Sequence, residues 1–262
     1  MIDYLYTYQN KIVSPSSGVS LGGSSVPPMT MRFQFIDESA DFDPSQQTWY
    51  YASDGTWTHV EGSVWDFYYP HDSWTIARGN YYHSIFGGTN TGTTYYPGPL
   101  KDISFKIINA NLEGVTKCPR LFWRCEKMKS ICLFDTSKIQ AVQSMFERAE
   151  SLSYLPDFDF SSVTNELSGF KQFMSLNIAS ASNPGLLAIP NFTLPSSGQI
   201  SFERMFYTCR YASSGILNLY NKMKDIAPSN PGSPFSQCGT STENGKIERK
   251  FIPKTGWGGD LV

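Results

Sequence analysis

The sequence predicts a β-rich α+β protein, with a small antiparallel β domain followed by a short solenoid whose units each combine a short helix with a short strand. Residues 29–96 carry alternating aromatic segments, which favour strands. After residue 104 a helix-like apolar pattern recurs with a period in the twenties, which indicates stacked repeats. Aromatic residues make up 15% of the 262 residues and charged residues 17%, a balance that favours sheets and binding surfaces over solvated helical bundles.

Residues 1–28 are predicted to be an N-terminal arm and linker. Positions 14–28 are rich in Ser, Gly and Pro, which is typical of an extended segment. The start of the chain lacks the positive charge and apolar core of a secretory signal, and no stretch is apolar enough to span a bilayer. We therefore expect synthesis in a cytoplasm, no membrane insertion, and a candidate docking arm whose short strand needs a partner: Tyr4, Tyr6 and Tyr8.

Residues 29–103 are predicted to form the antiparallel β domain. The segment MRFQF (31–35) alternates, and VWDFYYP (64–70) is a second strand candidate that Pro70 ends. In the second segment one face is predicted to be buried and the other solvated: Trp65, Phe67 and Tyr69 against Asp66 and Tyr68.

The aromatic residues of this domain have two interpretations. Flat rings anchor interfaces and stack on sugars, whereas alternate members of a β domain also build its core. Both interpretations stay open from the sequence, and the candidate binding surface consists of Tyr50, Trp57, Tyr68, Trp74 and Tyr81.

The repeat is clearest over residues 139–152. Its apolar or small residues have offsets 0, 3, 6, 7, 10 and 13, and the same offsets hold apolar residues 24 positions earlier, over 115–128. The pattern returns less cleanly in 167–174 and 202–212. These offsets are typical of one face of a helix or helical turn, and Pro119 suits the first turn of such a helix.

A short apolar stretch follows each of these segments and is predicted to be a strand. The clearest copies are 155–160 and 189–194, with an earlier copy at 131–136 and a frayed one at 216–219. A repeat unit of about twenty to thirty residues that combines a helix with a strand is typical of leucine-rich-repeat proteins. A solenoid of this type is therefore predicted over residues 104–220. Such units share one core by stacking, so residues 221–262 are predicted to cap the array.

The wording of these units resembles the BspA-like family of leucine-rich repeats. Met-Phe-x-x-(Cys or Ala)-x-x-Leu is preceded by Phe-Asp-Thr-Ser-x-(Ile or Val), with copies at 134–152, 158–174 and 192–212. The resemblance covers roughly residues 105–220, and the β region before it looks like the leader that precedes such repeats in proteins of phages from gut Bacteroidales. Family members are commonly bacterial surface proteins.

The resemblance implies a non-enzymatic structural or decorating protein of a tailed phage of the crAss-like group, located on the virion. It would bind other virion proteins and host-surface glycan or protein, and a homo-oligomer is expected. Two alternatives stay open: a bacterial cell-surface adhesin and a glycan-degrading enzyme. The candidate carboxylates for the enzyme are Asp157 and Asp159, which a solvated polar row explains more simply because the next unit has Asn191 and Thr193.

Composition argues against other functions. The net charge is −2 and no basic run appears, so a nucleic-acid partner is not expected. No nucleophile elbow, phosphate loop or zinc-protease motif is present, so no catalytic residue and no cofactor are predicted. The residues considered for metal, and interpreted instead as ordinary strand and core residues, are His59, His71 and His83 and the five cysteines, Cys118, Cys125, Cys132, Cys209 and Cys238.

Overall fold

The computed structural model describes residues 29–36, 42–47, 55–70, 82–90, 95–165, 168–176 and 184–262. A five-stranded sheet with the order β2-β3-β1-β7-β8 contains β1 (Met29–Phe35), β2 (Thr56–Glu61), β3 (Val64–Tyr69), β7 (Phe105–Asn111) and β8 (Met128–Ile131). A smaller sheet contains β4 (Tyr82–Ser84), β5 (Gly88–Asn90) and β6 (Tyr95–Pro97). A 3-10 helix spans Pro44–Gln46, and the α-helices are α1 (Ile216–Met223) and α2 (Glu243–Arg249). The predicted β-rich α+β class is confirmed.

The five-stranded sheet follows from alternation along β1. Every second residue of β1 is buried, which confirms the predicted strand at MRFQF. In β3, Phe67 and Tyr69 are buried while Tyr68 is exposed, as predicted for VWDFYYP. The sheet is mixed rather than antiparallel, because β8 joins β7 in parallel. The strand β7, which the sequence places at the start of the repeats, pairs with β1 in the middle of this sheet.

The four segments predicted to be short helices are turns, at 119–124, 143–148, 169–174 and 203–208. A fifth turn of the same kind spans 234–240, within the segment predicted to be a cap, and we call all five the turn layers. In and beside the first layer, the backbone N–H groups of residues 118, 120, 122 and 124 donate to carbonyls in or beside the second layer. The intervening N–H groups of 121, 123 and 125 donate to the carbonyl three residues earlier. Local hydrogen bonds therefore alternate with hydrogen bonds that join neighbouring layers.

Backbone dihedrals explain why the helix prediction is wrong. Arg120 and Arg124 have φ of +59° and +60°, and every positive-φ non-glycine residue in the described chain lies in or beside a turn layer. An α-helix needs negative φ throughout. Pro119 followed by Arg120 with positive φ is the pattern of a type II β-turn, in which proline favours the second position. Overlapping turns bury residues three and four apart, as a helix does, so the apolar spacing fits both.

A column of phenylalanine rings runs from the sheet through the turn layers. Neighbouring ring centroids in this phenylalanine column are 5.2–6.4 Å apart. Gly87 lets the small sheet approach the first layer closely, since a Cβ there would lie 1.7 Å from the carbonyl oxygen of Trp123. Sheet and layers consequently share one core. The members of the column are Phe33, Phe86, Phe122, Phe146, Phe173, Phe206 and Phe235.

The second halves of the repeat units differ in structure while keeping equivalent buried positions. The strands predicted at 131–136, 155–160 and 189–194 are not formed: 131–136 shares only Ile131 with β8, and the other two segments are joined by an isolated parallel bridge between Asp159 and Thr193. Residues 216–219, predicted to be a frayed strand, begin helix α1 instead. Gly215, with φ of +87°, precedes this helix, and a Cβ there would lie 2.1 Å from the Ile189 carbonyl oxygen. Residues 216–219 are therefore helical, yet Ile216 and Leu219 are buried like the equivalent residues of the earlier units.

The C-terminal segment ends the stack around Arg249. Its guanidinium donates to the carbonyls of Phe235 and Cys238, both at 2.9 Å, and to both carboxylate oxygens of Asp260 at 2.7 and 2.9 Å. The hydrogen bonds from Arg249 hold the pKa of Asp260 below its ordinary value of 3.8. One side chain thus fixes the last turn layer to the end of the chain.

Candidate binding surface

The sequence-predicted aromatic surface is only partly exposed. Trp57 is half-buried, with its ring centroid 4.9 Å from those of both Phe33 and Phe67. Tyr68 is 37% exposed on the opposite face of the sheet. The two described members therefore do not form one surface. The other three, Tyr50, Trp74 and Tyr81, lie outside the described residues, as do Tyr4, Tyr6 and Tyr8 of the candidate docking arm.

Of the three histidines, only His59 has a side chain that the structure describes; His83 lies in strand β4. His59 lies on exposed strand β2, where its ring centroid is 4.8 Å from that of Trp65 and its Nε2 is 2.9 Å from the carbonyl oxygen of Gly62. His71 lies outside the described residues. Among the described side chains, no group of three His, Cys, Asp or Glu is arranged to hold a metal ion.

All five cysteines have free thiols, and four are buried as predicted; Cys132 is half-buried. Burial raises the pKa of Cys132 to about 11 and that of Cys238 to about 12. Thiols with such pKa values remain protonated near neutral pH, and the thiolate is the nucleophilic form. These cysteines therefore act as small apolar core residues.

The second halves of four units place one exposed residue at the same position. Each lies between two buried residues, for example Asp157 between Leu155 and Phe158. The equivalent residues are Leu133, Asp157, Asn191 and Asn218. Because successive units stack side by side, this position forms a row across the surface.

Hydrogen bonds join the last three residues of the row, which we call the polar ladder: Asp157, Asn191 and Asn218. The backbone N–H of Asn191 donates to Asp157 Oδ1 at 2.7 Å. The Nδ2 of Asn218 donates to Asn191 Oδ1, also at 2.7 Å. This arrangement fits the predicted polar row. The other candidate carboxylate, Asp159, accepts from the backbone N–H of Ser161 at 2.9 Å.

Two large side chains near Asp157, one by its equivalent position in the preceding unit and one by its place in the chain, are exposed. Leu133, one unit earlier in the row, is 67% exposed, and Tyr154, three residues before Asp157, is 63% exposed. The sequence analysis did not single out either residue, because each lies in a repeat unit whose other apolar residues are buried. The sequence feature that could have identified Leu133 as exposed is that the equivalent positions of later units hold polar residues.

A second cluster of charged side chains lies along the turn layers. Burial raises the pKa of Glu147, although Ser144 and the charges of Arg120, Arg124 and Arg148 oppose that rise. Burial also raises the pKa of neighbouring Glu150, and the charge of Glu126 adds to it. Ion pairs join Arg148 to Glu150 at 3.9 Å and Lys101 to Glu126 at 3.1 Å. The carboxylates of this cluster thus lie among arginine and lysine side chains, and two of them form ion pairs.

Comparisons with protein-family models, curated proteins and solved structures found no match. Within the described residues, neither helix combines the length and apolar character required to cross a membrane. Of the surfaces in the described chain, the polar ladder with Tyr154 and Leu133 joins exposed polar groups to exposed apolar side chains on successive units.

Proposed function

We propose that this protein is a non-enzymatic structural or decorating protein of a tailed-phage virion, associated with a fibre, head or tail. Its repeats would belong to the BspA-like leucine-rich-repeat type and would present a surface for assembly or for adhesion to the host. The observation that carries the proposal is the stack of turn layers, in which each layer bonds to its neighbour and shares the phenylalanine column. Such stacking buries the repeated apolar residues and leaves a regular row of side chains outside.

The virion setting is supported by the wording of the repeats and of the β region before them, which resembles phage proteins of gut Bacteroidales. The candidate docking arm, Tyr4, Tyr6 and Tyr8, would add a strand to a sheet edge of a neighbouring virion protein. A homo-oligomer and contacts with host glycan or protein belong to the same proposal. Nucleic acid is not proposed as a partner.

Mass spectrometry of purified phage particles tests the location. We expect peptides of this chain in particles at a fixed ratio to the capsid protein. A variant lacking residues 1–28 should remain folded but be lost from particles, because the docking strand is removed. Particles that contain the shortened chain at the normal ratio would contradict the docking role, and particles without the full chain would contradict the virion assignment.

A bacterial cell-surface adhesin is the second candidate, because the same exposed row would serve adhesion on a cell. Localisation separates the two: surface labelling of intact cells should detect an adhesin, whereas particle purification should recover a virion protein. The glycan-degrading alternative has less support. Asp157 and Asp159 each accept a backbone N–H, which suits a structural row. Glycan turnover that disappears in Asp157→Asn would overturn the non-enzymatic assignment.

A further inference from the structure

We propose that the polar ladder and Tyr154 form a binding site for neutral glycans. This inference deepens the adhesion part of the proposed function and rests on it for its biological setting. A glycan presents hydroxyl groups that both donate and accept hydrogen bonds, together with apolar C–H faces. The site must therefore offer fixed polar groups beside an exposed ring, and these residues provide both.

The hydrogen bonds within the polar ladder determine what remains for a ligand. Asn191 Oδ1 accepts from Asn218 Nδ2, so the free side of the Asn191 amide is its NH₂ group. Asn218 has donated with its nitrogen and retains its oxygen as an acceptor. Asp157 uses Oδ1 for the Asn191 backbone and retains Oδ2. Along the polar ladder, a ligand would therefore meet an acceptor at Asp157, a donor at Asn191 and an acceptor at Asn218. The hydrogen bonds within the ladder fix the orientation of these groups before a ligand binds.

Tyr154 supplies the apolar part of the site. Its ring is 63% exposed, and it lies three positions before Asp157, so their Cα atoms are at most about 11 Å apart. An exposed ring at that distance can cover one sugar while the ladder binds the hydroxyls of its neighbours. Leu133, the first position of the row, extends the apolar surface beyond Asp157 at the same end. A site of this shape suits an extended oligosaccharide more than a single sugar.

The charge around the ladder selects neutral over acidic glycans. Asp157 belongs to the ladder, Asp159 follows it by two residues, and Asp135 precedes Thr136, whose hydroxyl donates to the carbonyl oxygen of Asp159 at 2.6 Å. Three carboxylates therefore lie on neighbouring segments at this end of the row. The ammonium group of Lys222, which donates to the carbonyl oxygen of Phe192 at 2.9 Å, adds one positive charge against them. Because the negative charges outnumber the positive one, uronic acids and sialic acids would be repelled.

The test uses the full chain and an array of short neutral oligomers of glucose, mannose, galactose and xylose, with uronic-acid oligomers beside them. We expect binding to at least one neutral series and none to the acidic oligomers. Calorimetric titration of the strongest neutral ligand should then show an affinity loss of about tenfold or more for Tyr154→Ala and for Asn191→Ala. Tyr154→Phe should retain most of the affinity, because the ring is kept.

Phe251→Ala is the matched control, since Phe251 is an aromatic residue of the C-terminal segment that is 60% exposed and lies outside the proposed site. Circular dichroism should show the same fold for all variants. Absence of any neutral ligand, or a loss with Phe251→Ala and none with Tyr154→Ala, would overturn the inference. Glycan binding by a chain that is missing from phage particles would remove only the virion assignment. A particle protein that binds no neutral glycan would remove only this inference.

Discussion

The sheet and the turn layers satisfy their backbone groups in different ways. In the sheet, β1 pairs with β3 on one side and β7 on the other, and each strand has the extended conformation that its alternating sequence favours. In the turn layers, alternate N–H groups bond locally and the others reach the next layer. Arg120, Arg124 and their equivalents also adopt positive φ, which costs a non-glycine residue about 1–2 kcal/mol. The layer conformation is therefore stable only when layers are stacked.

The largest expected effect comes from removing one phenylalanine ring from the sheet or one from the turn layers. Phe33 and Phe173 are both fully buried among other rings. Replacing either with Ala should lower the free energy of unfolding by about 3–5 kcal/mol, because a cavity remains. Guanidinium unfolding followed by fluorescence and by circular dichroism should give one shared transition for each variant, since the core is continuous. Two separate transitions would show that sheet and layers unfold independently.

Two bidentate arginine–aspartate pairs provide the next contrast. Arg249 is 7% exposed and also donates to two carbonyls, whereas Arg32 of the sheet is 29% exposed and pairs with Asp66 alone. Arg249→Ala should cost about 3 kcal/mol, because it leaves buried acceptors unpaired. Arg32→Ala should cost about 1 kcal/mol or less. Thermal unfolding of both variants measures the difference, and equal losses would contradict the role of Arg249 in fixing the last layer.

Two carboxylates should change stability with opposite signs. The pKa of Asp260 is lowered from 3.8, so the charged form contributes stability that is fully present above that value and lost as pH falls further. The pKa of Glu147 is raised from 4.5, so charging it in the folded state reduces stability above its folded pKa and has no effect well below 4.5. At pH 7, Asp260→Asn should destabilise the protein, and Glu147→Gln should stabilise it, each by about 0.5–1 kcal/mol.

Unfolding titrations from pH 7 to pH 3 test this pair. The effect of Glu147→Gln should disappear by about pH 4, and that of Asp260→Asn should diminish only below that pH. Lys129→Ala, at an exposed position of strand β8 and not among the groups that shift either pKa, serves as a control for general charge effects. Destabilisation by Glu147→Gln at pH 7 would mean that its arginine neighbours outweigh its burial.

The smallest expected effect concerns backbone conformation. Arg204 has φ of +53° in a turn layer, whereas Thr30 lies in strand β1. Glycine adopts a left-handed backbone conformation without steric strain, which favours the folded state at Arg204. It also increases the conformational entropy of the unfolded chain, which disfavours folding. Because the two effects oppose each other, Arg204→Gly should change the free energy of unfolding by less than about 0.5 kcal/mol. Thr30→Gly brings only the entropic loss and should cost about 1 kcal/mol. Denaturant midpoints compare the two, and a larger loss at Arg204 would argue against strain in the layers.

The apolar pattern identified the buried residues of the layers, such as Val142, Met145 and Phe146, but not their conformation. A helix and overlapping turns bury the same spacing. Whether a segment forms a helix or overlapping turns depends on whether its alternate backbone N–H groups find acceptors in another layer. The local sequence pattern contains no information about those acceptors. The candidate binding surface was equally hidden. Asn218 looked like part of a strand, yet its amide reaches Asn191 from helix α1.

The sequence by itself determined the β-rich class, the strands at MRFQF and VWDFYYP, the repeated burial after residue 104 and the buried cysteines. These features depend on side-chain polarity and spacing, which are local. Tertiary structure decided that the repeats form turn layers, that β8 makes the sheet mixed, and that hydrogen bonds join Asp157, Asn191 and Asn218 in the polar ladder. Each of these depends on hydrogen bonds and contacts between residues far apart in the chain, whose partners exist only after the units have stacked.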